Sequence, residues 1–218
     1  MSTPFWPRPA ERYAGKLPDK ADVLVIGGGI AGTSLLWHLE RRHISAVLVE
    51  RHHVAWGASG RNAGFLLAGV SSSYAEAVRA YGREKAREVW ELTTENHERQ
   101  IQAARGQDVG YRRLGSATLP ASEEERALLI ESEHLLQEDG FHVMWDGTRL
   151  INPRDGEVNP SALVAALARQ ARPRAIREGV DVTSLQSRRD GVTIRAGDDS
   201  CDAGVVILAT NGYTAQLV

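Results

Sequence analysis

Cysteine is almost absent from this sequence. Cys201 stands alone among 218 residues, so an intramolecular disulfide is impossible and a disulfide-stapled secreted fold is excluded. No apolar run approaches the roughly 18 residues of a membrane span. Pro4, Pro7 and Pro9 also interrupt the N-terminus where a signal peptide needs a continuous apolar stretch. These absences predict a cytoplasmic protein with no membrane partner.

An excess of one charge is missing as well, and so is metal-binding spacing. The 26 Lys and Arg nearly balance the 28 Asp and Glu, and the formal net charge of -2 provides no basic field for nucleic acid. The seven histidines include the neighbours His52 and His53 but no His-x-x-x-His or Cys-x-x-Cys spacing. We therefore predict neither a nucleic-acid partner nor a bound metal.

The segment from residue 22 to residue 50 predicts a βαβ unit. Residues 22–26 form a short apolar, β-branched run typical of a strand buried on both faces, and residues 46–50 form a second such run. Leucines at helical spacing lie between them. The connection after the first strand carries Gly-x-Gly-x-x-Gly, with glycines at Gly27, Gly29 and Gly32. A glycine pattern between a strand and a helix is the fingerprint of a dinucleotide site.

Each residue of this fingerprint has a physical role in binding a dinucleotide. Gly27 permits the tight turn, Gly29 lets the backbone approach a pyrophosphate, and Gly32 allows helix and strand to pack closely. The helix N-terminus around Ile30 and Ala31 stabilises the phosphate charge. Glu50 closes the second strand, where it is placed to accept hydrogen bonds from two ribose hydroxyls. The alternative is a glycine-rich turn that binds nothing.

The choice between NAD and FAD depends on the segment 57–64. FAD must place its ribityl chain and flavin ring along further backbone, whereas NAD needs little beyond the βαβ unit. Residues 57–64 read Gly-Ala-Ser-Gly-Arg-Asn-Ala-Gly and offer small residues with free backbone N–H groups, and hydroxyl and amide donors. We interpret this segment as part of an FAD site, with a flexible surface loop as the alternative.

The rest of the chain predicts alternating helices and strands. We expect a long helix over 72–105, a strand over 111–119, and a helix that starts at a Ser122–Glu125 capping box. A further helix should begin at Asn159-Pro160. The last part of the chain should form a hairpin of 180–185 with 192–195 and a third buried strand over 204–209. The predicted fold is α/β, a Rossmann-type FAD-binding domain with a mostly parallel sheet plus an incomplete α+β substrate domain. Strands at 23–27, 46–50 and 205–209 should be central. We place an N-terminal arm at 1–20, the FAD-binding domain at 21–105 and 150–218, and a partial substrate domain at 106–149.

Four motifs in order resemble the D-amino-acid oxidase superfamily of FAD enzymes. They are residues 22–32, Glu50-Arg51, residues 57–64 and residues 209–213, Ala-Thr-Asn-Gly-Tyr, and they extend over nearly the whole chain. The superfamily includes glycine and sarcosine oxidases and γ-glutamylputrescine oxidoreductases. The sequence of residues 57–62, Gly-Ala-Ser-Gly-Arg-Asn, is similar to that of the last group. The resemblance implies an amine or amino-acid substrate that is oxidised by hydride transfer to flavin.

The resemblance also implies roles for individual residues. Arg51 would lie near the adenosine, and Val182, in the predicted strand after Gly179, would meet the adenine through its backbone. Thr210, Asn211 and Gly212 would approach the pyrophosphate. The ribityl chain and flavin would be lined by Ser59, Arg61, Asn62, Ala63 and Gly64. Some relatives attach flavin covalently through a His in the loop that holds Arg61 here, so non-covalent binding is implied.

No catalytic residue is assigned, because the chain offers only part of a substrate pocket. Nine residues follow the third buried strand, whereas such relatives continue and complete a flavin-facing wall. We expect this chain to be an N-terminal part that is inactive alone, completed by a missing C-terminal half or covered by another copy. A non-catalytic dinucleotide-binding module and an NAD-dependent dehydrogenase remain alternatives.

Overall fold

The computed structural model describes residues 5–217, which form two compact units. The first unit runs to Ala63 and resumes at Asn159, and the second is Gly64–Val158. Whether the predicted arm, FAD-binding and substrate domains coincide with functional divisions stays a prediction. No helix among the described residues is long and apolar enough to cross a membrane.

The first unit is built on a six-stranded sheet. Its strands are β1 (Lys20–Ile26), β2 (Ala46–Glu50), β8 (Ile176–Glu178), β9 (Ser184–Arg188), β10 (Gly191–Ala196) and β11 (Asp199–Leu208). The order across the sheet is β8-β2-β1-β11-β10-β9. The pairs β8–β2, β2–β1 and β1–β11 are parallel, and the hairpin strands β9 and β10 continue the sheet antiparallel. The prediction of a mostly parallel sheet with these central strands is confirmed.

Helices α1 (Ile30–Arg41) and α5 (Pro160–Gln170) belong to the first unit and pack against one sheet face. Val25 and Leu48 point to this face, while Leu24 and Ile26 point to the opposite core. Helix α5 begins as predicted, because Asn159 accepts a hydrogen bond from the Ala162 amide at 3.1 Å and proline follows it. At the start of this unit, β1 ends at Ile26 and α1 begins at Ile30, so the glycine turn joins the strand directly to the helix.

Two strand predictions in the first unit need correction. The strand predicted at 180–185 begins only at Ser184, so Val182 lies in an irregular segment before it. The strand predicted at 204–209 begins earlier, at Asp199, and is not fully buried, since Val205 is 52% exposed. The helix α1 packs on β1 and β2 and leaves this part of β11 open.

The second unit combines helices with very short strands. It contains β3 (Phe65–Leu66), β4 (Ser116–Thr118), β5 (Met144–Trp145), β6 (Leu150–Asn152) and β7 (Gly156–Glu157), with helices α2 (Tyr74–Tyr81), α3 (Arg83–Ala103) and α4 (Glu123–Glu138). Strands β4, β6 and β5 form an antiparallel sheet, and β3 pairs with β7. Leu129 and Leu136 of α4 pack with Tyr74 and Ala77 of α2 in its core.

Three predictions in the second unit are wrong in detail. The helix predicted over 72–105 is two helices, because Gly82 adopts a φ of +83° between them. The strand predicted over 111–119 is reduced to Ser116–Thr118 after a bridge at Arg112, and Gly115 with a φ of +75° precedes it. Ser122 caps α4 at the Glu125 amide, but the Glu125 carboxylate accepts from Ala121, so the reciprocal capping box is absent there.

Candidate dinucleotide site

The glycine turn between β1 and α1 tolerates no larger side chains at two positions. Gly27 has a φ of +117°, and a Cβ there would lie 2.6 Å from the Ala209 carbonyl oxygen. A Cβ at Gly32 would lie 1.9 Å from the Gly27 oxygen. Each added Cβ would meet backbone atoms, which cannot rotate away as a side chain can. A side chain at either position would therefore push α1 or the segment after β11 out of place.

The N-terminus of α1 is open to a ligand. The amides of the first helical turn have no partner within the helix, and they carry its partial positive charge. Gly29 precedes the helix without capping it through a side chain, and Ala31 is exposed. The Ile30 amide donates to Ser59 Oγ at 2.9 Å. This end of α1 fits an anionic group, with the Ser59 hydroxyl beside it.

Glu50 presents a carboxylate whose position is fixed by the backbone. Its Oε2 accepts a hydrogen bond from the Gly28 amide at 2.7 Å, and its Oε1 accepts one from the His52 amide at 2.8 Å. A carboxylate has about four lone-pair directions, so each oxygen can accept a further hydrogen bond. Glu50 is half-buried at the end of β2. This carboxylate fits the paired hydroxyls of a ribose.

The segment 57–64 is held in shape by its own polar side chains. Arg61 Nε donates to the Trp56 carbonyl at 2.8 Å, and the guanidinium lies 4.7 Å from the Trp56 ring centre. Asn62 Nδ2 donates to the Ser59 carbonyl at 3.0 Å. A short 3-10 turn, Ala58–Gly60, brings Ser59 to the start of α1. The predicted loop therefore lies against the glycine turn.

Ala55 lies at the site although no sequence motif includes it. It is buried and adopts a φ of +64°, which is unusual for any residue other than glycine. Its amide donates to the Gly28 carbonyl at 3.0 Å, and a Cβ at Gly60 would lie 2.1 Å from its carbonyl oxygen. Ala55 thus joins the glycine turn to the loop 57–64. Nothing in the residue type signals this conformation.

The segment after β11 lies next to the glycine turn. The Ala209 amide donates to the Ile26 carbonyl at 2.8 Å, which continues the parallel pairing of β11 with β1. Thr210 then precedes a 3-10 turn, and Asn211 has a φ of +48°. The structure therefore places Thr210, Asn211 and Gly212 at the carboxyl end of β11, beside Gly27.

Arg51 and Val182 lie on the Glu50 side of the sheet. Arg51 Nε is 3.8 Å from Asp181 Oδ1, and its guanidinium carbon is 5.5 Å from the Tyr213 ring centre. Val182 is 7% exposed and its side chain packs in the core, so its backbone is the part that can meet a ligand. Asp181 and Tyr213 are neighbours of Arg51 that the residue-by-residue prediction omitted.

His53, three residues after Glu50, is a packing residue. It is buried, its Nδ1 lies 2.8 Å from the Val54 carbonyl oxygen, and its ring meets Trp56 edge-on at 4.9 Å. Burial lowers its pKa, which keeps the ring neutral at ordinary pH. Among residues 5–217, no three His, Cys, Asp or Glu side chains gather as a metal site would require.

Comparison with known proteins decides the family. A family model described as FAD dependent oxidoreductase, of the D-amino-acid oxidase type, matches residues 22–218. This chain belongs to that family. The resemblance seen in the motifs is therefore confirmed, and the family implies a flavin cofactor.

Several relatives and structures are similar over most of this chain. The probable oxidoreductase OrdL of Haemophilus influenzae is 26% identical over 216 residues, which cover 89% of this chain and 50% of OrdL. Glycine oxidase from Geobacillus kaustophilus has a TM-score of 0.72 at 24% identity, over 92% of this chain and 58% of that one. L-amino acid deaminase from Proteus myxofaciens has a TM-score of 0.69 at 20% identity, over 98% and 50%.

These comparisons have two consequences. The two solved structures show that this chain shares their fold, which confirms the predicted Rossmann-type architecture. The chain spans about half the length of OrdL, and 58% of the glycine oxidase chain.

Proposed function

We propose that the first unit binds FAD without a covalent bond. The observation that supports this most directly is the fixed Glu50 carboxylate, held at Gly28 and His52 beside the open N-terminus of α1. A ribose and a pyrophosphate are adjacent in FAD, and these two features are adjacent here. Family membership favours FAD over NAD. Arg61 occupies the loop position where some relatives have an attaching His, which supports non-covalent binding.

The proposed residue roles follow the geometry. The pyrophosphate lies at the glycine turn formed by Gly27, Gly29 and Gly32, with Thr210, Asn211 and Gly212 beside it. The Ala31 amide donates to it, and the Ile30 amide exchanges its bond to Ser59 Oγ for one to a phosphate oxygen. Glu50 accepts from the ribose, and Arg51 and the Val182 backbone lie near the adenine. The loop residues Ser59, Arg61, Asn62, Ala63 and Gly64 extend toward the flavin, and the contact of Ser59 with Ile30 supports a second role for its hydroxyl near the pyrophosphate.

We propose that the whole protein oxidises an amine or amino acid. The names of the relatives, glycine oxidase and L-amino acid deaminase, support this substrate class. Bound FAD supplies an acceptor for hydride from the C–H bond beside nitrogen. This chain contributes the cofactor site, and we assign it no catalytic residue. Because it spans about half of OrdL, we expect the isolated chain to bind FAD without turnover, as a non-catalytic dinucleotide-binding module would.

Titration of FAD into wild type and Glu50→Ala tests the cofactor assignment. We expect the substitution to weaken binding by about 1–3 kcal/mol, since it removes charge-assisted hydrogen bonds. Glu91→Gln, at an exposed ion pair in the second unit, is the control and should leave affinity unchanged. Thermal unfolding of each variant separates binding from stability. Equal FAD affinities for wild type and Glu50→Ala would show that Glu50 merely ends a strand.

A turnover assay tests the substrate class and the division of function. The purified chain is mixed with FAD and a panel of amines and amino acids, and flavin absorbance and peroxide are followed. We expect yellow protein without sustained bleaching. Sustained turnover would contradict the proposal that this chain binds the cofactor without catalysing the reaction. The substrate-facing residues would then have to be sought among Tyr74, Tyr111, Arg113 and Trp145 in the second unit. Protein that is colourless after incubation with saturating FAD and removal of the free cofactor would contradict the cofactor assignment itself.

A further inference from the structure

The start of the described chain is attached to the body at several points. Trp6 Nε1 donates to the Asn62 carbonyl at 2.8 Å, and the Trp6 ring is half-buried. Further along, the Pro7 carbonyl accepts from Ser161 Oγ at 3.0 Å, and Glu11 pairs with Arg169 at 2.6 Å. Trp6 therefore meets the loop 57–64, whereas the later contacts are made with α5.

The Trp6 contact acts on a single peptide plane. In a trans peptide the carbonyl of one residue and the amide of the next point in opposite directions, and no cis peptide occurs in the described chain. Since the Asn62 carbonyl points at the Trp6 indole, the Ala63 N–H points away from it. The orientation of the Ala63 amide is thus coupled to Trp6, which lies 56 positions before Asn62 in the sequence.

The loop has both local and distant side-chain contacts. Arg61 donates to Trp56, and Asn62 donates to Ser59, so these two bonds shape the loop from within. The Ile30 amide relates Ser59 to the start of α1, and the Trp6 bond adds a restraint from a second distant segment at Asn62. A loop that is ordered before binding loses less conformational entropy when the ligand arrives.

We propose that Trp6 is a positioning residue for the cofactor loop. Its indole N–H holds the Asn62 carbonyl, directs the Ala63 amide away from the arm, and keeps the loop 57–64 in the conformation that receives FAD. The proposal rests on the proposed FAD site. It requires no contact between Trp6 and the cofactor, and it makes the N-terminal arm a determinant of cofactor affinity.

Trp6→Phe tests the proposal, because it keeps an aromatic ring and removes the donor. Amide hydrogen exchange in 57–64, measured without FAD, should become faster at Gly60 and Arg61, whose amides donate within the loop. The FAD dissociation constant should rise roughly threefold to tenfold, the factor that corresponds to one net hydrogen bond. Glu11→Gln is the matched control: it loosens the arm at Arg169 and should change neither loop exchange nor FAD affinity.

The two readouts separate this proposal from the cofactor assignment. Unchanged exchange at Gly60 and Arg61 and unchanged FAD affinity in Trp6→Phe would overturn the role of Trp6. If wild type fails to bind FAD, the cofactor assignment fails with it, and exchange still decides whether Trp6 orders the loop. Replacement of Trp6 by benzothienylalanine, which exchanges the N–H for sulfur at nearly constant shape, gives the same comparison should Trp6→Phe unfold.

Discussion

The two compact units of this chain are stabilised in different ways. In the first unit, β1 and β2 are buried on both sheet faces, and long parallel pairings bring Gly27, Glu50 and Ala209 together. The second unit has strands of two or three residues, and a buried carboxylate links its segments: Asp155 accepts from the Ala68 amide at 3.0 Å, Ser116 Oγ at 2.6 Å and Asn152 Nδ2 at 2.9 Å.

The two units differ in what sets the positions of their connecting segments. In the dinucleotide site these are backbone positions at strand ends, which sheet pairing fixes over long distances. In the second unit the Asp155 carboxylate accepts hydrogen bonds from three segments and so joins them beside the apolar core, and burial raises the pKa of Asp155. Substitutions should therefore disrupt the two units for different reasons.

Gly32→Ala should produce the largest effect. Its Cβ would lie 1.9 Å from the Gly27 oxygen, and neither backbone segment can yield without separating α1 from β1. We expect a loss of about 3 kcal/mol in unfolding free energy, despite a helix-propensity gain of about 1 kcal/mol, and at least roughly tenfold weaker FAD binding. Urea denaturation and FAD titration measure both quantities.

Gly57→Ala is the matched control for that substitution. Gly57 lies in the same site and has a φ near -76°, and no atom of residues 5–217 lies within 4 Å of its Cβ position. Its unfolding free energy should stay within about 0.5 kcal/mol of wild type. If Gly57→Ala and Gly32→Ala were equally damaging, close packing of α1 on the turn would not be what the glycines provide.

Asp155→Ala should have a smaller effect, confined to the second unit. The substitution leaves the donors of Ala68, Ser116 and Asn152 without their acceptor, and we expect a loss of about 2 kcal/mol, reduced because a desolvated carboxylate is also removed. Hydrogen exchange should quicken in residues 64–158 and not around β1. Glu91→Ala, at an exposed ion pair on α3 of the same unit, should change little. Equal losses of unfolding free energy in these two variants would show that Asp155 does not hold the segments of this unit together.

The sequence was informative wherever the structural signal is local. The strand, glycine turn and helix at 22–41 are adjacent in sequence, and Asn159-Pro160 carries its own cap and start signal. Gly82 was different, because a glycine inside a charged helical pattern does not reveal its positive φ. The pattern predicted one helix where the backbone turns between two.

Other features depend on residues that meet only after folding. Ala55 adopts a left-handed conformation because Gly28 and Gly60 pack against its backbone, and alanine itself favours no such state. Asp155 and Ser116 are 39 positions apart and meet through the pairing of β4 with β6. The exposed side of β11 follows from where the helices pack, which a run of β-branched residues does not specify.

Buried histidines provide the finest comparison between the units. His53 lies in the first unit and His97 in the second, and burial lowers the pKa of both side chains. The hydrogen bond of His53 to the Val54 carbonyl opposes that shift. His97 Nε2 is buried without a hydrogen-bond partner among the described residues, and the nearby Arg113 lowers its pKa further.

Mild acid should therefore weaken the second unit through His97. The unfolded ring takes up a proton near pH 6.5, whereas the folded ring resists it until a lower pH. Stability that is constant above this unfolded pKa is then lost as the pH falls from about 6.5 toward the folded pKa. His97→Phe removes the titrating group and keeps an aromatic ring beside Tyr111, so exchange in residues 64–158 should become less sensitive to pH between about 7 and 5. His134→Gln, at an exposed position of α4, should retain the wild-type pH dependence. If His97→Phe keeps that dependence too, the acid sensitivity of this unit arises from carboxylates whose pKa is lowered in the folded state, and Glu76 and Asp146 are the groups to examine next.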